Sequence, residues 1–95
     1  MSFLGWFRRN REDPELARRS LLLRLGRLGD ATVLDTGLDS EGKHILSYCY
    51  TIAGVDYETV QRLDDEQLLR KDYYLPGSRV DLRYDPRRPA NSIVV

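Results

Sequence analysis

Between Lys43 and Leu63 the chain alternates apolar and polar residues on either side of Ala53-Gly54, a period that suits extended backbone and not helix. Leu46, Tyr48, Tyr50 and Ile52 fall in one phase, and Ser47, Cys49 and Thr51 in the other. Gly54 supplies the positive φ that a tight hairpin turn requires. Val55, Tyr57, Thr59 and Leu63 then share a face on the returning strand. A lone two-stranded hairpin is marginal in water, so flanking segments must add strands to cover this face.

Those segments are readable. Ala31 to Asp35 reads as a short strand closed by Thr36-Gly37, and Leu38 to Gly42 as a polar, turn-forming loop. Asp64-Asp65-Glu66 opens a second helix-like segment that ends near Arg70 and Lys71, an order of charges that suits a helix dipole. Leu75-Pro76-Gly77-Ser78 is a turn. Arg79 to Tyr84 alternates again, with Val80, Leu82 and Tyr84 in phase. Asp85-Pro86-Arg87-Arg88-Pro89 is a rigid loop, and Ser92 to Val95 a final edge strand. Upstream, Asp13-Pro14-Glu15 is a helix start: Asp can cap free amides, Pro tolerates the first helical position, and Glu favours the positive end of the dipole. The helix is expected from Pro14 to about Leu28, stopped by Gly26 and Gly29. Leu21, Leu25 and Leu28 share one of its faces with Leu22 beside them, and Leu16 and Leu23 lie nearly opposite. One leucine group is expected to pack on the domain while the other meets a partner.

The expected fold is therefore mainly β (α+β): a small antiparallel five-stranded meander, barrel-like, with an N-terminal helix and a short helical segment between strands 3 and 4. Ninety-five residues make one core. Charge divides them in two. Residues 1–29 hold seven arginines against three carboxylates, a net +4, and residues 30–95 hold eight basic and twelve acidic groups, a net −4. The first part is a basic arm with a helix, and the second the β-rich domain. Cys49 is the sole cysteine, which excludes an intrachain disulfide and suits a reducing compartment. No stretch approaches the ~20 apolar residues of a membrane span, and Arg8 and Arg9 follow the apolar start where a secretory signal would carry its charge first.

Tyr50-x-x-x-Gly54-x-x-Tyr57, followed by Gly77-x-x-Val80-x-Leu82-x-Tyr84-Asp85-Pro86-x-x-Pro89, resembles a widespread bacterial family catalogued as domain of unknown function 3592, over residues 31–95. Members of that family often have hydrophobic transmembrane helices beside a small β domain, whereas the leader here is studded with arginine. The resemblance implies no activity and no catalytic residues. In physical terms these motif residues are turn chemistry and core tyrosines: Gly54 and Gly77 for reversals, Asp85 for local amide bonds, Tyr50, Tyr57 and Tyr84 for volume.

Candidate chemistry is sparse. His44 and Cys49 are five residues apart on a strand, which places them on opposite faces about 16 Å apart. Asp64, Asp65, Glu66 and Asp72 match no cation-wrapping loop, Asp39 and Glu41 lack further ligands, and no glycine-rich phosphate loop is present. No catalytic residue, cofactor or metal is assigned. The expectation is a non-catalytic interaction or scaffold module that contacts a protein partner, or a second copy of itself, through the N-terminal helix. Trp6, Phe7, Arg8, Arg9, Leu16 and Leu23 form the candidate surface. The alternative is peripheral association with an anionic membrane surface through the Trp/Phe/Arg leader, and hence a place in the cytoplasm or at the membrane's inner face. Nucleic-acid binding is a second alternative, disfavoured by the −4 charge of the β-rich part.

Overall fold

The computed structural model describes residues 13–95. Helix α1 (Pro14–Leu25) leads into β1 (Arg27–Leu38), β2 (His44–Ile52) and β3 (Val55–Arg62). The short helix α2 (Asp65–Leu68) and a 3-10 turn (Lys71–Tyr74) then cross to β4 (Arg79–Asp85) and β5 (Arg88–Val94). All pairings are antiparallel, in the order β3-β2-β1-β4-β5. The first three strands are a meander, after which the crossover returns the chain to the free side of β1. The sheet curls into a nearly closed, barrel-like form in which β3 and β5 come together.

β1 is longer than the five residues expected from its sequence. Its first half pairs with β4 (Arg27↔Tyr84 to Thr32↔Arg79) and its second with β2 (Thr32↔Cys49 to Leu38↔His44). Leu34 is an extra residue between the pairs Val33↔Tyr48 and Asp35↔Ser47, a bulge that bends the strand and sharpens the curl. The helix correspondingly ends at Leu25, short of Leu28. Gly26 leaves the helix in extended conformation (φ −69°, ψ 152°), and its N–H closes the last turn on Leu22 O at 2.8 Å. A side chain there would meet Leu22 O at 2.5 Å, so glycine is required by close approach. Gly29, expected to stop the helix, is instead a β1 residue that leaves room for the Tyr84 ring. The division at 29/30 drawn from charge thus falls inside β1.

The alternating phases predict the interior well. Leu46, Tyr48 and Tyr50 from β2 and Val80, Leu82 and Tyr84 from β4 are buried with Ala31, Val33, Tyr74 and Val94. Ile52, Tyr57 and Leu63 are half-buried against them. Val55, in phase with Tyr57 but at the hairpin end, is exposed. The hairpin is a two-residue turn between Ile52 and Val55, with positive φ at Ala53 (52°) and Gly54 (81°).

Pro89 lies within β5, where the sequence suggests a loop. The ladder jumps from Asp85↔Arg88 to Tyr84↔Ser92, so Pro89, Ala90 and Asn91 bulge out of the pairing and no missing N–H is felt. The Tyr50 hydroxyl donates to Pro89 O. Asp85 Oδ1 accepts from Arg87 N at 2.9 Å, the local amide bond expected of that turn.

The closing seam is made by side chains. Val94 N donates to Gln61 Oε1 at 2.8 Å, and Gln61 Nε2 donates to Val94 O at 3.0 Å. One amide side chain thus imitates a ladder step between β3 and β5. Gln67 Nε2 donates to the same carbonyl at 2.8 Å, while Gln67 Oε1 accepts from Asp64 N to complete the capping box of α2. Elsewhere along the seam Tyr48, Tyr50 and Tyr57 stack in a row, with ring centroids 5.9 Å and 5.3 Å apart. The Tyr48 hydroxyl pairs with Ser92 Oγ at 2.8 Å. Among the described residues, no buried side-chain polar atom lacks a partner.

Candidate interaction surface

α1 forms for the reasons legible in its first turn. Asp13 Oδ1 accepts from Leu16 N at 3.0 Å, Pro14 takes the first helical position, and Glu15 sits at the positive end of the dipole. Glu15 also binds two arginines, Arg18 at 2.9 Å and Arg19 at 2.8 Å. The Arg18 hydrogen bond, with Arg19 adding to it, holds the Glu15 carboxyl down at about 2 against the opposing effect of partial burial.

These arginines also fasten α1 to the sheet. Arg18 Nη1 donates to Asn91 Oδ1 and to Ser92 O, both at 2.9 Å, at the bulge of β5. Arg19 Nη2 donates to Arg62 O at the end of β3. At the other end of the helix, Arg83 Nη1 reaches Gly26 O at 3.2 Å. Leu22 and Ile93 are buried but stand apart from the interior cluster, so α1 lies on the outer side of β4 and β5 and spans the seam.

Neither leucine group expected on the helical wheel is the docking face. Leu22 alone is buried (4% exposed), flanked in space by Arg18 and Arg19. Leu16, Leu21, Leu23 and Leu25 are 50–72% exposed. Sequence reasoning missed the arginine role because polar docking leaves no hydrophobic period. The one available signal was Glu15 placed three and four residues before Arg18 and Arg19, which orders both guanidinium groups.

The exposed leucines border a groove on each side of the helix. One groove, of about 360 Å³, is walled by Leu16, Arg19, Ser20 and Leu23 and by Asp64, Glu66, Gln67 and Arg70, over a floor of Ile93, Val94 and Val95. The other, of about 410 Å³, lies between Leu21, Leu22, Leu25 and Gly26 and the β4–β5 turn with Asp85, Pro86, Arg87 and Asn91. Carboxylates and cations are mixed in the lining of both: Asp64, Glu66, Arg19 and Arg70 in the first, Asp85 and Arg87 in the second.

A third hollow of about 540 Å³ on the outer sheet face is lined by Asp30, Thr32, Cys49, Thr51, Asp56, Glu58 and Arg79 together with Ala31, Tyr50 and Tyr57. Its charges are largely spoken for: Arg79 pairs with Asp30, and Thr51 Oγ1 donates to Asp56 at 2.6 Å. Cys49 lies on this outer face. His44 shares the inward phase of Leu46, so the strand does not bring the two together. Asp64 caps α2, and Asp39 Oδ1 accepts from Glu41 N and Lys43 N at 2.9 Å within its own loop. The Lys43 and Glu41 amides, with Arg62 beside them, hold the Asp39 carboxyl below its ordinary value. Among the described residues no group of three or more His, Cys, Asp or Glu is arranged to hold a metal, and no helix is long and apolar enough to cross a membrane.

Of the six residues expected to form the surface, Leu16 and Leu23 meet on the wall of one groove. Trp6, Phe7, Arg8 and Arg9 lie outside the described residues. The motif residues fall into the architecture: Tyr50 and Tyr84 buried, Tyr57 half-buried, Gly54 and Gly77 (φ 90°) in turns, Asp85, Pro86 and Pro89 at the β4–β5 reversal. No curated protein and no solved structure matches the chain. The model of one family, described as Domain of unknown function (DUF3592), matches residues 29–95, the whole sheet apart from the first two residues of β1. The chain belongs to that family.

Proposed function

We propose that the protein is a non-catalytic interaction module in which the curled sheet is the rigid platform and α1 the contact element, acting in the bacterial cytoplasm. One observation carries the reading: α1 buries one of its five leucines and leaves four exposed. Helices on folded domains usually turn an apolar stripe of three or four residues per two turns to the core. Here arginine hydrogen bonds to Asn91 and to sheet carbonyls help hold the helix in place, and the leucines stay available for a partner.

The test is a four-leucine variant of the full chain, with Leu16, Leu21, Leu23 and Leu25 each replaced by Gln. It keeps the far-ultraviolet spectrum and melting temperature of the parent within a few degrees. It also loses association in sedimentation and in vesicle flotation. Equal behaviour of parent and variant in both assays ends this reading.

A second reading is supported by the groove near the β4–β5 turn. Leu21, Leu25 and Arg87 line it, and the exposed Arg24, Arg27 and Arg88 each adjoin a lining residue in the chain, so apolar area and cations combine, the chemistry that meets an anionic lipid surface at the inner face of a membrane. Each cation near such a surface contributes ~1 kcal/mol. Flotation with vesicles containing phosphatidylserine, strong at low salt and weak at high salt, is the expected result. Binding to neutral vesicles with equal strength removes the electrostatic part.

A further inference from the structure

We propose that the outer edge of β3, from Asp56 to Val60, takes up an extended basic peptide as an added antiparallel strand. This surface is separate from α1, and the inference does not depend on that helix being a contact element.

The pairing of β3 leaves half of its backbone unused. Leu63 N donates to His44 O at 3.0 Å, which makes those two residues a hydrogen-bonded pair. The register from Ile45↔Arg62 to Ile52↔Val55 runs without a shift, so the alternation of an antiparallel ladder carries through it. Gln61, Thr59, Tyr57 and Val55 therefore turn their N–H and C=O toward β2, and Arg62, Val60, Glu58 and Asp56 turn theirs away. Arg62 O is taken by Arg19, and the glutamine step to Val94 closes this end of the seam. Among the described residues the main-chain groups of Asp56, Glu58 and Val60 have no partner, and all three residues are exposed. Unpaired strand backbone is a template for another strand, and five residues at ~3.3 Å each give it about 17 Å to pair along.

The side chains on this edge decide what kind of strand fits. Asp56 and Glu58 share the outer hollow with Asp30 and Arg79, three carboxylates against one guanidinium. Arg79 is held by Asp30, and Asp56 receives the Thr51 hydroxyl, so neither Asp56 nor Glu58 is in an ion pair among the described residues. A residue directly opposite in an added strand comes within ~5 Å of them, where a lysine or arginine is favoured and a carboxylate disfavoured. The same rule turns away a second copy. Pairing the open stretch with its own two-fold mate, centred on Glu58 or on Tyr57, sets carboxylate against carboxylate. Residues between the cations of the peptide turn to the inner face, beside the half-buried Tyr57. So short an added strand belongs to the weak, transient class of contact.

The probe is a blocked peptide, acetyl-Lys-Val-Lys-Val-Lys-Thr-amide, titrated to about 2 mM into the full chain while amide exchange is followed residue by residue. It is expected to bind and to slow exchange at Asp56, Glu58 and Val60 while leaving α1 unchanged. Two relatives of the probe separate backbone from charge. N-methylation of its lysines blocks the N–H groups that face β3 and keeps every charge, and glutamate in place of lysine keeps every N–H. Each change is expected to weaken binding about tenfold or more. In the protein, Asp56→Lys with Glu58→Lys reverses the preference, so that the glutamate peptide binds better than the lysine one. Thermal melts check that this variant is folded, and Asp56→Asn with Glu58→Gln, which abolishes the preference, serves where the reversal unfolds the chain. No binding by the lysine peptide, equal binding by its N-methylated form, or protection that appears elsewhere in the chain overturns the inference. So does protection of those amides without peptide: if constant, the chain covers its own edge, and if rising with protein concentration, a second copy does.

Discussion

Two single positions show how local physics is written into this fold. Ala53 occupies the left-handed region (φ 52°) at the first position of the two-residue hairpin turn, where asparagine and glycine are favoured and an ordinary side chain is strained. Ala53→Asn is expected to raise stability by about 0.5–1 kcal/mol, measured as a higher urea midpoint at unchanged slope. Gln61 acts in the opposite sense. Its amide satisfies both the N–H and the C=O of Val94, so Gln61→Leu strands a buried donor and costs about 2 kcal/mol despite adding apolar surface. Gln67→Leu costs less at the seam, because Gln61 still donates to the same carbonyl, but it also removes half of the α2 capping box. Gln61 escapes a count of apolar residues along the inward phase of β3, which runs through Tyr57 and Thr59 to Leu63. A buried polar residue in the right phase carries no hydrophobic signal, and only the presence of Val94 opposite gives it a purpose.

At the scale of elements, the strands and their inward faces were largely legible, and the helix was legible except for what it docks with. Alternation fixed β2 and β4 because a half-buried strand must follow a period of two. It underestimated β1 because Leu34 interrupts the period with a bulge and because Arg27 to Gly29 look helical until Gly26 turns extended. Docking of α1 uses Arg18 and Arg19, which salt bridges to Glu15 within the helix hold in place, and this makes it sensitive to acid. The folded Glu15 carboxyl is held at about 2, below its ordinary 4.5, so its contribution is complete above about pH 4.5 and is lost as pH falls from there toward 2. The side chain is half-exposed, so the effect is modest and weakened by salt. Amide exchange in α1 is expected to accelerate over that window before exchange in β1 does. Glu15→Gln removes the pH dependence and leaves the helix permanently more labile.

For the molecule as a whole, tyrosine holds the interior together and sets its alkaline limit. Burial pushes the Tyr48 phenol up to about 12, against the opposing hydrogen bond to Ser92, and burial also raises Tyr50 and Tyr74. A folded value above the ordinary 10 means the contribution of Tyr48 is intact below about pH 10 and disappears as pH rises from 10 through 12. An absorbance titration of the six tyrosines should therefore show an early group and a late one, and the late group should ionise together with unfolding. Tyr48→Phe, which leaves Ser92 Oγ without its buried partner, is expected to lower stability by about 1 kcal/mol and to remove part of the late phase.

The way β3 and β5 are joined has a consequence for motion. The two strands run in the same direction and share a glutamine step in place of a peptide ladder, so the ring has a latch where a continuous barrel would have another row of amide bonds. Releasing it takes the loss of a few side-chain bonds, whereas separating β1 from either neighbour takes the loss of a whole row. Deuterium should enter the outer edge of β3 near Val55 to Thr59 first and the amides of β1 last. The molecule would then breathe along one line, directly beneath the helix that crosses it.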